Sequence, residues 1–261
     1  MKKIIQKLCK QLEKEQKIKI LFAIENGSRA WRMSSNDSDY DVRFIYTRPV
    51  KDYLQINHLA DVIERKYDAK GKIVHDHAII DMSGFDVLKF AKMLSSSNPT
   101  VIEWLTTDII YYGKQNSIFK HHAEKNYSKQ ALYHHYKSMC RNNYLKYLKS
   151  GSDITYKRYL YCFRGLINAK WVAHKKGLPP IQFTTTLQEA QDIIPKNIIQ
   201  RLQEIIKLKI ARKEKDIINK IPVMDTYIED FLKNDDEAPQ ERSHATLNDL
   251  NKELQQIILR K

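Results

Sequence analysis

The 261-residue chain predicts an α+β protein, with a sheet-forming N-terminal part followed by an all-helical part. Three observations carry that expectation. Strand-like apolar runs at 18–25 and 40–46 flank a Gly27-Ser28 turn. From about residue 116 onward, apolar residues recur at helical spacing. Gly113-Lys114 stands between the two regimes as the expected boundary. A hydrophobic fraction of 42% supports a core, and seven glycines and seven prolines argue against long disordered tracts.

Taken in order, Ile4, Ile5, Leu8 and Leu12 give residues 2–16 the spacing of an amphipathic helix. The run 17–25 reads as an interior strand, because its centre is mostly apolar. A short helix follows Gly27-Ser28, Ser34 to Asp37 form a polar loop, and a second strand runs to Pro49. Residues 59–68 read equally as strand or short helix, and Gly71 marks a turn. IVHDHAIIDM at 73–82 reads as a strand, with His75, His77, Ile79 and Asp81 on one face. Ser83 is expected to open a helix, with Asp86 three residues on as its capping partner. Asn98-Pro99 breaks that helix and starts another through Trp104, and DIIYY at 108–112 reads as a last strand. Helices are expected near 116–125, 128–149, 153–176, 195–216, 221–233 and 244–260. The predicted organisation is a core at 1–113, a helical domain at 114–233, a linker at 234–243 and a C-terminal helix at 244–261.

The formal net charge of +14 points to a polyanionic partner, most simply nucleic acid, or to a nucleotide-phosphate site. Lysine-rich composition alone is the competing explanation. Cys9, Cys140 and Cys162 form no zinc or disulfide spacing and read as buried thiols in a reducing cytosol. No apolar run approaches ~20 residues, and the N-terminus lacks the apolar middle of a signal peptide, so a cytoplasmic protein is expected.

The chemistry concentrates in AIENGSRAWRMSSNDSDYDVRFIY, residues 23–46. Residues two apart on a strand share a side, so Asp39, Asp41 and Arg43 face one way and Val42, Phe44 and Tyr46 the other. Adjacent carboxylates repel, and a divalent cation on hard oxygen ligands is the usual reason for such a pair. Glycine lets the backbone approach a ligand, and helix-opening N–H groups attract anions. Gly27, Ser28 and Arg29 therefore form a candidate phosphate grip beside a candidate metal site. That is equipment for phosphoryl or nucleotidyl transfer.

The spacing G-S-x10-D-x-D resembles the signature of the DNA-polymerase-beta nucleotidyltransferase superfamily. The longer wording GSRAW…SDYDVRFIY resembles the RNA-repair-associated (RNA-ligase-associated) nucleotidyltransferase family. DMSGFDVLKFAKML at 81–94, NPTVIEWL at 98–105 and KRYLYCFRGLINAKW at 157–171 extend the resemblance over roughly residues 20–185. The family usually has glycine after GSRAW, where this chain has Arg32. The resemblance implies a polymerase-beta-type core and transfer of a nucleotide from an NTP, with two Mg²⁺ or Mn²⁺ ions, to an RNA end in repair.

Two-metal transfer needs a third carboxylate, and both the resemblance and the apolar-acid-apolar setting point to Asp81. Asp86 is better explained as a helix cap. The expected metal ligands and catalytic residues are thus Asp39, Asp41 and Asp81. Gly27, Ser28 and Arg29 would hold phosphates, and Arg43 would either neutralise the leaving group or simply balance Asp41. In the helix at 153–176, Leu160, Phe163, Ile167 and Trp171 fall on a packed side, with Lys157, Tyr161, Arg164 and Asn168 as an adjacent stripe. Composition leaves that stripe open between a packing edge and a nucleotide surface; the resemblance implies nucleotide binding by Lys157, Tyr161 and Arg164. Rival functions are nucleotidyl transfer to a protein or small molecule, and RNA binding without catalysis.

Overall fold

The computed structural model describes residues 1–57, 59–151, 153–175, 177–211, 216–234, 238–240 and 247–259. The chain forms two compact units. The first contains residues 1–30, 39–127 and 244–261; the second contains residues 31–38 and 128–243.

The first unit is built on a five-stranded mixed sheet. Helix α1 (Lys2–Gln16) leads into β1 (Lys19–Asn26), the one-turn α2 (Gly27–Ala30) and β2 (Tyr40–Thr47). A short α3 (Val50–Tyr53), β3 (Val62–Tyr67) and β4 (Ile80–Asp86) follow. Helices α4 (Val87–Ser95) and α5 (Pro99–Thr106) then lead to β5 (Ile110–Gly113), α6 (Ser117–Lys125) and, much later in sequence, α12 (Asn248–Leu259). The strand order is β3-β4-β2-β1-β5, with β2 and β4 parallel and the other neighbours antiparallel. Ile5, Leu8 and Leu12 of α1 bury against Ile20, Val42, Phe44, Tyr46 and Met82 of the sheet. A second aromatic set joins Phe22 to Phe90 at 6.0 Å, Phe90 to Phe119 at 5.3 Å and Phe85 to Trp104 at 4.8 Å between ring centres. Covering both faces explains why Ile45 is as fully buried as Phe44 and Tyr46.

Two sequence expectations do not hold. Residues 75–77 are bends, with His77 at φ 52°, so His75 and His77 share no strand face with Asp81. Within 73–79, Ile73 alone makes an isolated bridge, to Tyr67, and the strand starts at Ile80. Ser83 lies in mid-strand and opens no helix: Asp86 itself is the N-cap of α4, accepting from the Leu88 amide at 2.9 Å. The stretch 59–68 resolves as strand β3.

The second unit is helical. It comprises α7 (Lys129–Asn143), a π-helical segment (Tyr144–Lys149), α8 (Tyr156–His174), α9 (Phe183–Glu189), α10 (Lys196–Ala211) and α11 (Pro222–Lys233). Pairing of α7 with α8 is close because Gly165 has no side chain: a Cβ there would lie 2.8 Å from the Cys140 amide nitrogen and the Tyr136 carbonyl oxygen. All three cysteines are buried thiols, and Cys140 Sγ lies 3.5 Å from Cys162 Sγ in this seam. Tyr159 fixes α11 by donating to Asp225 at 2.8 Å and accepting from the Ile221 amide at 2.9 Å. The loop 31–38 belongs to this unit through Trp31, whose carbonyl accepts from the Phe183 amide at 3.1 Å, and through Met33, whose carbonyl accepts from buried Lys209. The short helices α3 and α9 are not expected from the sequence. Of the expected linker and C-terminal helix, residues 235–237, 241–246, 260 and 261 lie outside the described residues. No described helix is long and apolar enough to cross a membrane.

Candidate active site

Strand β1 ends at Asn26, which is in register with Asp41 of β2. The chain then turns at Gly27, with φ 64°. A Cβ at this position would fall 2.1 Å from Asp41 Oδ2. Both the left-handed backbone and the carboxylate require glycine here. Ser28 is buried in the following turn. Arg29 lays its guanidinium 3.9 Å from the centre of the Tyr40 ring and donates from Nε to the Asp39 carbonyl at 3.1 Å. The GSR turn is thereby tied to the start of β2.

Asp39 is exposed and immediately precedes β2. Asp41 is the second residue of that strand, and its parallel neighbour in register on β4 is Asp81. The sequence pattern suggests a strand end for Asp81; it stands near the start of β4, and parallel pairing is what sets it beside Asp41. Arg43 forks across the two carboxylates: Nη2 lies 3.6 Å from Asp41 Oδ1 and Nη1 lies 3.4 Å from Asp81 Oδ1. Nη1 also donates to the Val42 carbonyl at 3.0 Å, and Ser83 Oγ donates to Asp81 Oδ1 at 3.4 Å. The Asp41 and Asp81 side chains are 32% and 36% exposed, so they are open to solvent while anchored to the sheet.

Among the described residues no three His, Cys, Asp or Glu side chains converge as a metal cluster. Two hard-oxygen donors nevertheless turn onto one shared cation, the Arg43 guanidinium. The donor chemistry at that locus fits a divalent ion of the Mg²⁺ type.

Glu25 is a site residue that the sequence motif does not single out. It is 1% exposed, and its Oε1 accepts the Asp41 amide at 2.8 Å while Oε2 accepts the Tyr111 hydroxyl. Burial pushes its carboxyl up to about 7, against the two hydrogen bonds that lower it. The available signal is a carboxylate closing an apolar strand just before the Gly-Ser turn.

The residues expected to bind nucleotide form two groups. Gly27, Ser28 and Arg29 of α2 and Arg43 of β2 gather with Asp41 of β2 and Asp81 of β4, and Asp39 immediately precedes β2. Lys157, Tyr161 and Arg164 gather in the helical unit around Trp31. Tyr161 meets the Trp31 ring edge-on at 5.2 Å, Lys157 Nζ lies 5.8 Å from the Tyr161 ring, and the Arg164 guanidinium stacks 3.7 Å over Trp31. The lower half of the expected stripe faces inward: Arg164 and Asn168 are 6% and 3% exposed. Trp31 is therefore the centre of this cluster, although in the sequence it is only one letter of the GSRAW wording.

A family model for the RNA repair pathway DNA polymerase beta family matches residues 1–258. An uncharacterized Bacillus subtilis protein, YcgL, is 32% identical over 253 residues, covering 96% of this chain and 92% of the relative. With the GSR turn, the aspartates of β2 and β4 and the helical unit all inside the matched span, the chain belongs to the RNA repair pathway DNA polymerase beta family.

Proposed function

We propose that this protein transfers a nucleotide from an NTP to the hydroxyl of an RNA end. Family membership supports nucleotidyl transfer as the reaction class. The observation that carries the reading is the register of Asp41 with Asp81 on parallel strands, both turned onto Arg43 beside a glycine that Asp41 itself enforces.

Asp39 and Asp41 would hold one divalent ion, and Asp81 would complete the site for a second. Such ions, when bound, supply positive charge to the triphosphate and lower the pKa of the attacking hydroxyl. Backbone N–H groups at Gly27 and Ser28, with the Arg29 guanidinium, receive the β and γ phosphates. The acceptor oxygen attacks the α-phosphorus, forming a new P–O bond. The bond from the α-phosphorus to its bridging oxygen breaks, and pyrophosphate leaves. Asp81 is the nearby carboxylate for the departing hydroxyl proton, and Arg43 balances charge on the leaving group. Lys157 and Tyr161 are assigned to phosphate and base on the family resemblance. Arg164, buried on Trp31, positions that cluster.

The test is incubation of the pure protein with labelled NTPs, Mg²⁺ or Mn²⁺ and short RNAs. Label should appear in RNA with release of pyrophosphate. Asp41→Asn and Asp81→Asn should each reduce transfer by at least about a hundredfold while the melting profile stays cooperative. Wild-type rates in either variant, or no label in RNA with any NTP, would overturn the reading.

A further inference from the structure

The helical unit carries a second aromatic–cation cluster, and nothing in the transfer chemistry uses it. It lies on the π-helical segment, Tyr144–Lys149, which continues α7. π-Helical turns are rare and appear frequently at functional sites. Here Tyr144 and Leu148 point inward and are buried, while Leu145, Lys146 and Lys149 are exposed and Tyr147 is half-buried. Ser150 Oγ donates to the Leu145 carbonyl at 3.2 Å. Gly151 closes over the turn so tightly that a Cβ would fall 2.2 Å from the Tyr147 carbonyl oxygen. The chain after Tyr147 thus folds back tightly on the turn that presents it.

Two cations flank the ring. Lys146 Nζ lies 5.0 Å and the Arg158 guanidinium 4.8 Å from the Tyr147 centroid. Arg158 is itself oriented by donating to the Asp153 carbonyl. Lys220 reaches the same place, donating from Nζ to the Lys149 carbonyl at 3.0 Å. Two carboxylates lie nearby: Asp225 accepts the Tyr159 hydroxyl at 2.8 Å and feels the charge of Lys220, and Glu229 accepts the Tyr144 hydroxyl at 2.6 Å. The Tyr144 bond holds the Glu229 carboxyl below the usual range, and the charges of Lys233, Lys149 and Lys220 act in the same direction. Lys146, Lys149, Arg158 and Lys220 thus outnumber these two carboxylates, both of which are engaged by tyrosine hydroxyls.

We propose that Tyr147, with Lys146, Lys149, Arg158 and Lys220, is a docking surface for single-stranded RNA, the tyrosine stacking a base and the cations meeting phosphates. Exposed aromatics set among basic side chains are the recurrent device for unpaired strands, since every base has a π-face and every link a charge. Duplex RNA hides its base faces and meets only the cations. The assignment rests on the reading of the acceptor as RNA, and it adds where the helical unit grips the strand.

The test is fluorescence anisotropy of a labelled 12-nucleotide RNA with the full-length protein, beside Mg-ATP binding on the same samples. Wild type should bind the single strand more tightly than a duplex of equal length. Tyr147→Ala should weaken single-strand binding roughly tenfold, and Tyr147→Phe should retain it. Lys146→Glu with Lys149→Glu should reduce the salt slope by about 0.7 for each phosphate no longer neutralised. Thermal melting checks that Tyr147→Ala is folded; if it is not, the lysine pair decides alone. Wild-type affinity in Tyr147→Ala and in the lysine pair would overturn this surface and leave RNA as acceptor intact. Equal affinity for duplex and single strand would overturn the stacking role. No RNA binding by wild type at low salt, together with no labelled RNA product, would overturn the acceptor reading and this inference with it.

Discussion

At the scale of single residues, backbone conformation explains the one departure from the family wording. Arg32 has φ 58°, the left-handed region that glycine enters freely and other residues enter at a cost of about 1–2 kcal/mol. The glycine expected after GSRAW is a conformational requirement, and this chain meets it with a strained arginine. Arg32→Gly should stabilise the protein by up to about 1 kcal/mol, because part of the relief is offset by the greater freedom of glycine when unfolded. Urea unfolding with an unchanged slope checks this; a loss of stability would mean that the arginine side chain outweighs its backbone. His122 gives a second residue-level prediction. It is 3% exposed, and burial holds its pKa below the ordinary value, with Asp249 opposing and His121 adding to the shift. The unfolded chain therefore binds a proton that the folded chain refuses. Stability should be unaffected above about pH 7 and should fall as pH drops through about 6.5, by at most about 1.4 kcal/mol per pH unit from this group. His122→Leu should flatten that part of the stability–pH curve, and an unchanged curve would assign the acid limb to other groups.

At the scale of elements, the tightest constraint is the α7–α8 seam. Replacing glycine by alanine inside a helix normally gains about 1 kcal/mol in propensity. At Gly165 the added Cβ meets backbone atoms at 2.8 Å, which no rotamer change relieves. Overpacking of that kind costs about 1–3 kcal/mol, so the clash wins and Gly165→Ala should lower the melting temperature. A higher melting temperature would show that the two helices separate freely. The same scale shows what a sequence can convey. The long helices, β1 and β2 are legible because their apolar periods are unbroken. Asp41 is legible because strand alternation sets it on the same face as Arg43, whereas Asp39, expected on that face too, precedes the strand. The region 73–86 misleads for a physical reason: His75, Asp76 and His77 sit among apolar residues as a strand would, yet they lie in bends. Meanwhile Ser83-Gly84 looks like a helix start, although Gly84 is held in β4 by the Phe44 ring, 2.1 Å from where a Cβ would stand. The partnership of Asp41 with Asp81 depends on parallel register between strands 40 residues apart in sequence, and no local pattern encodes that. The Trp31 cluster is hidden for the same reason, since its partners Tyr161 and Arg164 come from α8.

At the scale of the whole molecule, the net charge of +14 acts on stability and on binding with opposite signs. Like charges repel within the folded chain, so excess charge destabilises the compact state. Surface ion pairs such as Lys175 with Asp192 at 2.7 Å and Arg201 with Glu204 at 2.7 Å are solvated and offset little of this. Added salt shortens the Debye length from about 10 Å at 0.1 M to about 3 Å at 1 M and screens the repulsion. The melting temperature should therefore rise with sodium chloride. RNA binding should move the other way, because each neutralised phosphate on a single strand contributes a slope of about −0.7 in log affinity against log salt. One titration separates the alternatives. A rising melting temperature with falling RNA affinity is the expected pair. A falling melting temperature would mean that the charges are arranged in net attractive networks. Salt-independent affinity would favour an uncharged acceptor, and with it transfer to a protein or small molecule over an RNA end.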